Sequence, residues 1–250
     1  MRIGFIGTGR IAEAVVTGLC TLAAPPEQIF LSPRNAASAQ RLASRFPAVR
    51  VAADNESVIA GSEVVALSLR PAVAEEVLRP LAFHPGQRVL SLMALVPLAR
   101  VKTLVNPAEV VRVLPLPTAA RREGPAVLYP AERWAQELFV PLGEVILADT
   151  ETELEALWSV TALIAAQYEQ LRTAADWLAG RGVPPARRPL CPVDVRRDYR
   201  PGGGDRQFAR RFAGRGADPG RAQRTGVAHA RSRRCIHRPF PCPRSGRRAP

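Results

Sequence analysis

Residues 2–20 read RIGFIGTGRIAEAVVTGLC, and three physical regimes follow one another in them. The opening RIGFI is mostly apolar, with β-branched and aromatic residues, and predicts a short strand. Gly7-Thr8-Gly9 then breaks it. From Arg10 onward the apolar residues recur at three-to-four spacing, which predicts a helix. Strand, glycine turn and helix together set the pattern G-x-G-x-x-A in the context where it binds a dinucleotide. Gly7 permits the tight turn, Gly9 lets a pyrophosphate approach the backbone, and small Ala12 lets helix and strand pack closely. The amides of the helix's first turn then face the phosphates. Ile6, Gly7, Thr8, Gly9, Arg10, Ile11 and Ala12 are therefore the expected phosphate-binding turn.

The same alternation runs on. QIFLS is followed by NAASAQRLASRF, SEVVALSL by AVAEEVLRPL, and QRVLSLM by LARVKTLV; EVVRVLPL and GEVILADT read as further strands. Near-continuous apolar strands alternating with amphipathic helices indicate a parallel sheet covered on both faces, with right-handed crossovers. The fold class is α/β, a Rossmann-type doubly wound sheet, and residues 1–149 form the expected dinucleotide domain. Asp149 or Thr150 then caps the longest helical stretch, ETELEALWSVTALIAAQYEQLRTAADWLAG. Within it Leu154, Leu157, Trp158, Thr161, Ile164, Ala165, Tyr168, Leu171 and Ala175 keep helical spacing, and Gly180 or Gly182 with Pro184 and Pro185 ends it. Residues 150–186 are expected to begin an all-helical domain.

The 250 residues carry a formal net charge of +13, and its distribution matters more than its sum. Residues 1–186 hold 16 Arg and Lys102 against 18 carboxylates, a net −1, whereas residues 187–250 hold 18 Arg against four Asp, a net +14. The basic character belongs to the tail. Only eight of its 64 residues are Leu, Ile, Val or Phe, too few to offset the entropy of ordering it. Residues 187–250 are expected to be disordered, and their Arg, Pro and Gly richness with no lysine is what an out-of-frame reading of GC-rich coding DNA produces. The arginines would bind phosphates non-specifically, but no motif that reads nucleic acid accompanies them, so no specific nucleic-acid partner is expected. Cys235, His237 and Cys242 fit no standard zinc spacing, and no metal site is expected.

The end of the second strand bears on the cofactor. An NAD site places an acidic residue about 20 residues beyond the turn, on the ribose 2′-hydroxyl. Here the strand runs into Ser32-Pro33-Arg34-Asn35. A hydroxyl, a guanidinium and an amide suit a 2′-phosphate, so NADP(H) is preferred. The alternative, in which Arg34 is a solvated helix-start residue and the site also takes NAD(H), stays open.

These residues resemble the pyrroline-5-carboxylate reductase family. The similarity lies in IGFIGTGRIAEAVVTGL, in SEVVALSLRPAVAEEVL with its A-V-K-P-like Ser68-Leu69-Arg70-Pro71, in VLSLMALVPLARV and in EVVRVLPLPTAARREGPAVLYP; it runs through roughly residues 1–150. The resemblance implies NADP(H) contacts at residues 6–11, Ser32, Asn55, Ser68, Leu69, Arg70 and Pro71, Asn55 having a helix-cap role as its alternative. It also implies hydride transfer to a small cyclic imine, 1-pyrroline-5-carboxylate giving L-proline, and a homo-oligomer formed through a complete helical domain. There are departures. The family's R-x-M-P-N-T-P is here Arg112-Val113-Leu114-Pro115-Leu116-Pro117-Thr118, with leucine in place of asparagine. Its S-G-S-G-P-A-Y falls at SVTALIAAQY, where Ser159 and Thr161 read as packing residues, with a retained hydroxyl role as the alternative. Pro201-Gly202-Gly203 matches a family glycine element no better than chance. A dinucleotide-binding module without turnover is the alternative.

Hydride transfer to a protonated imine can rest on positioning, with the cofactor supplying the hard chemistry. No catalytic residue is assigned; His84 reads as a surface turn residue and His229 and His237 lie in the tail. Four cysteines give no disulfide framework, no run approaches the roughly 20 apolar residues of a membrane span, and no signal peptide is evident. A cytoplasmic protein without membrane partner is expected.

Overall fold

The computed structural model describes residues 1–183, apart from the side chain of Ala165. Readings that fall on residues 184–250, including the tail's disorder, Pro201-Gly202-Gly203, His229 and the Cys235/His237/Cys242 group, lie outside the described residues.

Eight strands form one sheet: β1 (Arg2–Ile6), β2 (Gln28–Leu31), β3 (Val49–Val51), β4 (Val64–Leu67), β5 (Arg88–Ser91), β6 (Glu109–Pro115), β7 (Ala126–Tyr129) and β8 (Val145–Leu147). Their order is β3-β2-β1-β4-β5-β6-β7-β8, so the chain reverses its direction of travel between β1 and β4. The first six strands are parallel, with Gly4 opposite Phe30 on one side and Val65 on the other. Helices α1 (Arg10–Cys20), α2 (Ala36–Arg45), α3 (Asn55–Ala60), α4 (Pro71–Leu78) and α5 (Leu98–Leu104) make the crossovers.

The apolar strand runs have their physical reason in the two cores. Ile3 and Phe5 of β1, Val64 and Ala66 of β4 and Val111 and Val113 of β6 pack with α1 and α2 on one face. Ile6, Val65, Leu67, Val89 and Val110 pack with α3, α4 and α5 on the other. Successive residues point to opposite faces, and both faces are covered.

Four features depart from the reading of the sequence. The short β3 and α3 were not separated in the apolar pattern; α3 is a six-residue helix capped by Asp54. The pair β6–β7 is antiparallel, with Val113 opposite Leu128. Its connection holds only a 3₁₀ helix, Pro117–Arg121, followed by left-handed Arg122, which is shorter than the dozen or more residues a parallel crossover needs. β7 and the following α6 (Arg133–Phe139) were likewise missed, and α6 is the crossover that makes β8 parallel to β7. Finally, the long helical stretch is two helices, α7 (Glu151–Val160) and α8 (Ala162–Gly180). At the break the Thr161 N–H and hydroxyl both donate to the Trp158 carbonyl, at 2.9 and 2.6 Å, a local i→i−3 closure that ends the regular ladder.

Of the two residues expected to cap this stretch, Thr150 does so, accepting from the Glu153 N–H at 3.1 Å. Leu154 of α7 is fully buried over Leu114, Val127 and Ala148. By contrast α8 buries no side chain among those described. Among the described residues no helix is long and apolar enough to cross a membrane.

Candidate functional site

The crevice lies at the carboxyl ends of β1 and β4, where the strand order turns, which is where doubly wound sheets bind ligands. Gly7 holds φ +95°, and a Cβ there would sit 2.4 Å from the Ser68 carbonyl oxygen. Only glycine fits. Gly9 is different in kind: its φ is −82° and a Cβ would meet nothing within 4 Å. It stands beside open space, as a residue does where a ligand comes close to the backbone.

No side chain caps α1 at Gly9, so the first-turn amides lack the partner that a Ser or Asp cap would give them. Thr8 is 3% exposed and its hydroxyl has no protein partner. Uncapped amides, an orphaned hydroxyl and free space over Gly9 together fit a phosphate-bearing ligand. The one first-turn carboxylate, Glu13, is neutralised by Arg41, whose Nη2 lies 2.9 Å from both oxygens. Ala12 is wholly buried in the core behind the turn.

Two residues expected to touch the ligand also brace the turn. Ser32 is 2% exposed, and its hydroxyl accepts the Gly7 N–H at 2.9 Å. The Asn35 side-chain amide donates to the Thr8 carbonyl at 2.9 Å. Arg34, between them in the chain, is exposed and makes no ion pair among the described residues. Asn55 is not a cap; Asp54 is, accepting from the Ser57 N–H at 2.7 Å, and the Ser57 side chain together with that N–H holds its carboxyl below the usual carboxylate range. Asn55 is the first residue of α3, half-buried.

On the far side of the switch point, the Ser68 N–H continues the sheet to the Ile6 carbonyl at 2.9 Å. Leu69 lies against the glycine turn, 3.1 Å from where a Gly7 Cβ would be. Exposed Arg70 precedes α4, and Pro71 opens it with the fixed φ that a first helical turn wants. Arg10, Arg34 and Arg70 thus stand at the carboxyl ends of β1, β2 and β4, an electropositive edge for an anionic ligand.

Other candidates fall away. Ser159, which is exposed, and part-buried Thr161 donate to the Glu155 and Trp158 carbonyls of their own helical stretch. His84 is exposed in the turn before β5. Cys20 is half-buried and burial pushes its thiol up to about 11, which leaves it protonated and a poor nucleophile at neutral pH.

One buried group was named in the sequence but given no role. Arg112 of β6 is fully buried. Its Nη1 pairs with Glu151 and, at 3.1 Å, with Glu155 of α7, and its Nη2 donates to the Ala94 carbonyl at 2.7 Å. The available signal was a lone arginine inside EVVRVLPL.

With this geometry described, known proteins add the following. A family model described as NADP oxidoreductase, coenzyme F420-dependent, matches residues 2–95. The pyrroline-5-carboxylate reductase of Pseudomonas aeruginosa is 31% identical over 170 residues, covering 64% of this chain and 62% of that protein; the chain thus matches less than two thirds of this relative's length. Among solved structures, 1-pyrroline-5-carboxylate reductase of Streptococcus pyogenes superposes with TM-score 0.63 at 22% identity over 84% of both chains. A reductive aminase from Aspergillus terreus, solved with NADPH and ethyl-5-oxohexanoate, gives TM-score 0.55 at 17% identity over 71% of this chain and 70% of that one. Sequence similarity and shared fold agree on the fold: the chain carries a Rossmann-type α/β domain similar in sequence and architecture to that of pyrroline-5-carboxylate reductases.

Proposed function

We propose that the chain binds NADP(H) across the β1/β4 switch point and reduces a small cyclic imine, 1-pyrroline-5-carboxylate to L-proline, in the cytoplasm. The observation that carries this reading is the turn at residues 6–12, with open space over Gly9, an uncapped helix and an orphaned Thr8 hydroxyl. In this assignment the turn and the α1 amides hold the pyrophosphate. Ser32 and Asn35 keep the turn in shape, Arg34 meets the 2′-phosphate, and Asn55 with residues 68–71 lines the remaining crevice. The bound dinucleotide supplies the hydride. The protein's part is to hold the imine carbon in line with it and to exclude water, which needs no strong acid or base at the reacting atoms.

NADP(H) preference rests on Arg34, exposed and without an ion pair among the described residues at the end of β2. Arg34→Glu is expected to lower NADPH affinity by about tenfold or more, since it replaces a charge-assisted bond with repulsion, while NADH affinity changes little. Parallel fluorescence titrations check this, and equal losses for the two cofactors would remove the 2′-phosphate assignment.

A second reading, a dinucleotide-binding module without turnover, is favoured by α8, which buries none of its described side chains. The decisive experiment is NADPH oxidation by the purified chain with 1-pyrroline-5-carboxylate and with 1-pyrroline. Proline formation supports the reductase. Tight NADPH binding without turnover on either imine supports the module.

A further inference from the structure

A guanidinium taken wholly out of water inside a sheet costs several kcal/mol unless its partners are well placed. Arg112 leaves its Nε without a partner and offsets that cost through its two Nη groups, whose partners lie on two different elements. Its Nη2 holds the Ala94 carbonyl, and its Nη1 pairs with Glu151 and Glu155 of α7. Glu151 Oε1 also accepts the backbone N–H of Leu98 at 2.6 Å. Ala94 and Leu98 bracket the turn between β5 and α5. The cluster therefore fastens both ends of this turn, one through the arginine and one through the glutamate, and secures it to α7.

The place of the turn gives this fastening a purpose. In a doubly wound sheet a dinucleotide lies across the switch point, one mononucleotide half on each side. The glycine turn and Arg34 take the adenine side, over β1 and β2. The carboxyl ends of β4 and β5 then face the nicotinamide half, and the turn follows β5 directly. Between its two fastened residues Leu95 is 53% exposed, whereas the flanking Met93 and Val96 are buried.

We propose that Arg112 and Glu151 are positioning residues, which fix the turn at residues 94–96 as the seat of the nicotinamide half. The inference rests on the dinucleotide reading given above. A purely structural staple for α7 would affect the whole crevice alike, so half a cofactor separates the two roles. Adenosine 2′,5′-bisphosphate carries the adenine half and the 2′-phosphate without nicotinamide.

The test is titration of the full chain with NADPH and with adenosine 2′,5′-bisphosphate, for the unmodified protein, Glu151→Gln and Arg112→Lys, the last keeping the charge but losing the fork. Each variant is expected to bind NADPH about tenfold more weakly, the scale of one charge-assisted hydrogen bond. Affinity for the bisphosphate should stay within about twofold of the unmodified protein. Leu95→Asp, at an exposed position that no core depends on, should show the same split and covers the case in which a clamp variant fails to fold. Equal losses for both ligands, or no loss for NADPH, overturn the proposal while the dinucleotide reading stands. Failure of the unmodified chain to bind either ligand overturns both.

Discussion

Gly7 and Gly9 are separated by one residue and do different work. Gly7 is demanded by the fold: φ +95° and a 2.4 Å approach to the Ser68 carbonyl leave no room for a Cβ. Gly9 has ordinary dihedrals and an empty neighbourhood, so nothing in the fold itself makes a demand on it. Gly7→Ala is therefore expected to destabilise the protein by about 2 kcal/mol through backbone strain, read as a fall of roughly 4–8 °C in Tm. Gly9→Asp should leave Tm nearly unchanged and abolish NADPH binding, because its carboxylate would occupy the pyrophosphate's place. Calorimetry and titration on the same two variants check the contrast, and an unstable Gly9→Asp with intact binding would reverse the assignment. The sequence told these glycines from the rest because their spacing follows from backbone sterics. It did not show that Ser32 and Asn35 hold the turn, since the Gly7 N–H reaches the Ser32 hydroxyl across 25 residues of chain, at 2.9 Å.

At the scale of elements, what was legible depended on how much of each element's reason is local. β1, β2, β4, β5 and β6 were read correctly because strands covered on both faces are apolar throughout. β3 has three residues, with exposed Arg50 at its centre, too short a run to register. The reversal at β7 follows from the length and turn chemistry of the 3₁₀ connection, and the break at Thr161 from one hydroxyl; neither leaves a periodic trace. The 3₁₀ connection also sets the position of α1. Gly18 of that helix lies so close to it that an added Cβ would be 2.3 Å from the Ala119 carbonyl oxygen. Gly18→Ala improves intrinsic helix propensity, yet it should destabilise the protein by about 1–3 kcal/mol, as overpacking against backbone does. Chemical denaturation with two probes checks the sign; a variant as stable as the parent would mean that the 3₁₀ connection yields freely.

For the whole molecule the question is whether the charge of residues 187–250 bears on the crevice. Residues 1–186 are nearly neutral, at −1, while the remainder carries +14, and NADPH is an anion. Counterions decide the outcome: the Debye length is about 8 Å at physiological ionic strength and about 30 Å at 0.01 M. Arginines that make no contact with the ligand should therefore raise its local concentration only when salt is low. NADPH is expected to bind the full chain and residues 1–186 equally well at physiological salt, and the full chain more tightly at 0.01 M. Fluorescence titrations of both proteins at the two salt concentrations check this. A gap in affinity that persists at physiological salt would mean that arginines beyond residue 186 touch the dinucleotide, and the site proposed at Gly7, Gly9 and Arg34 would then need a further cation drawn from outside the Rossmann domain.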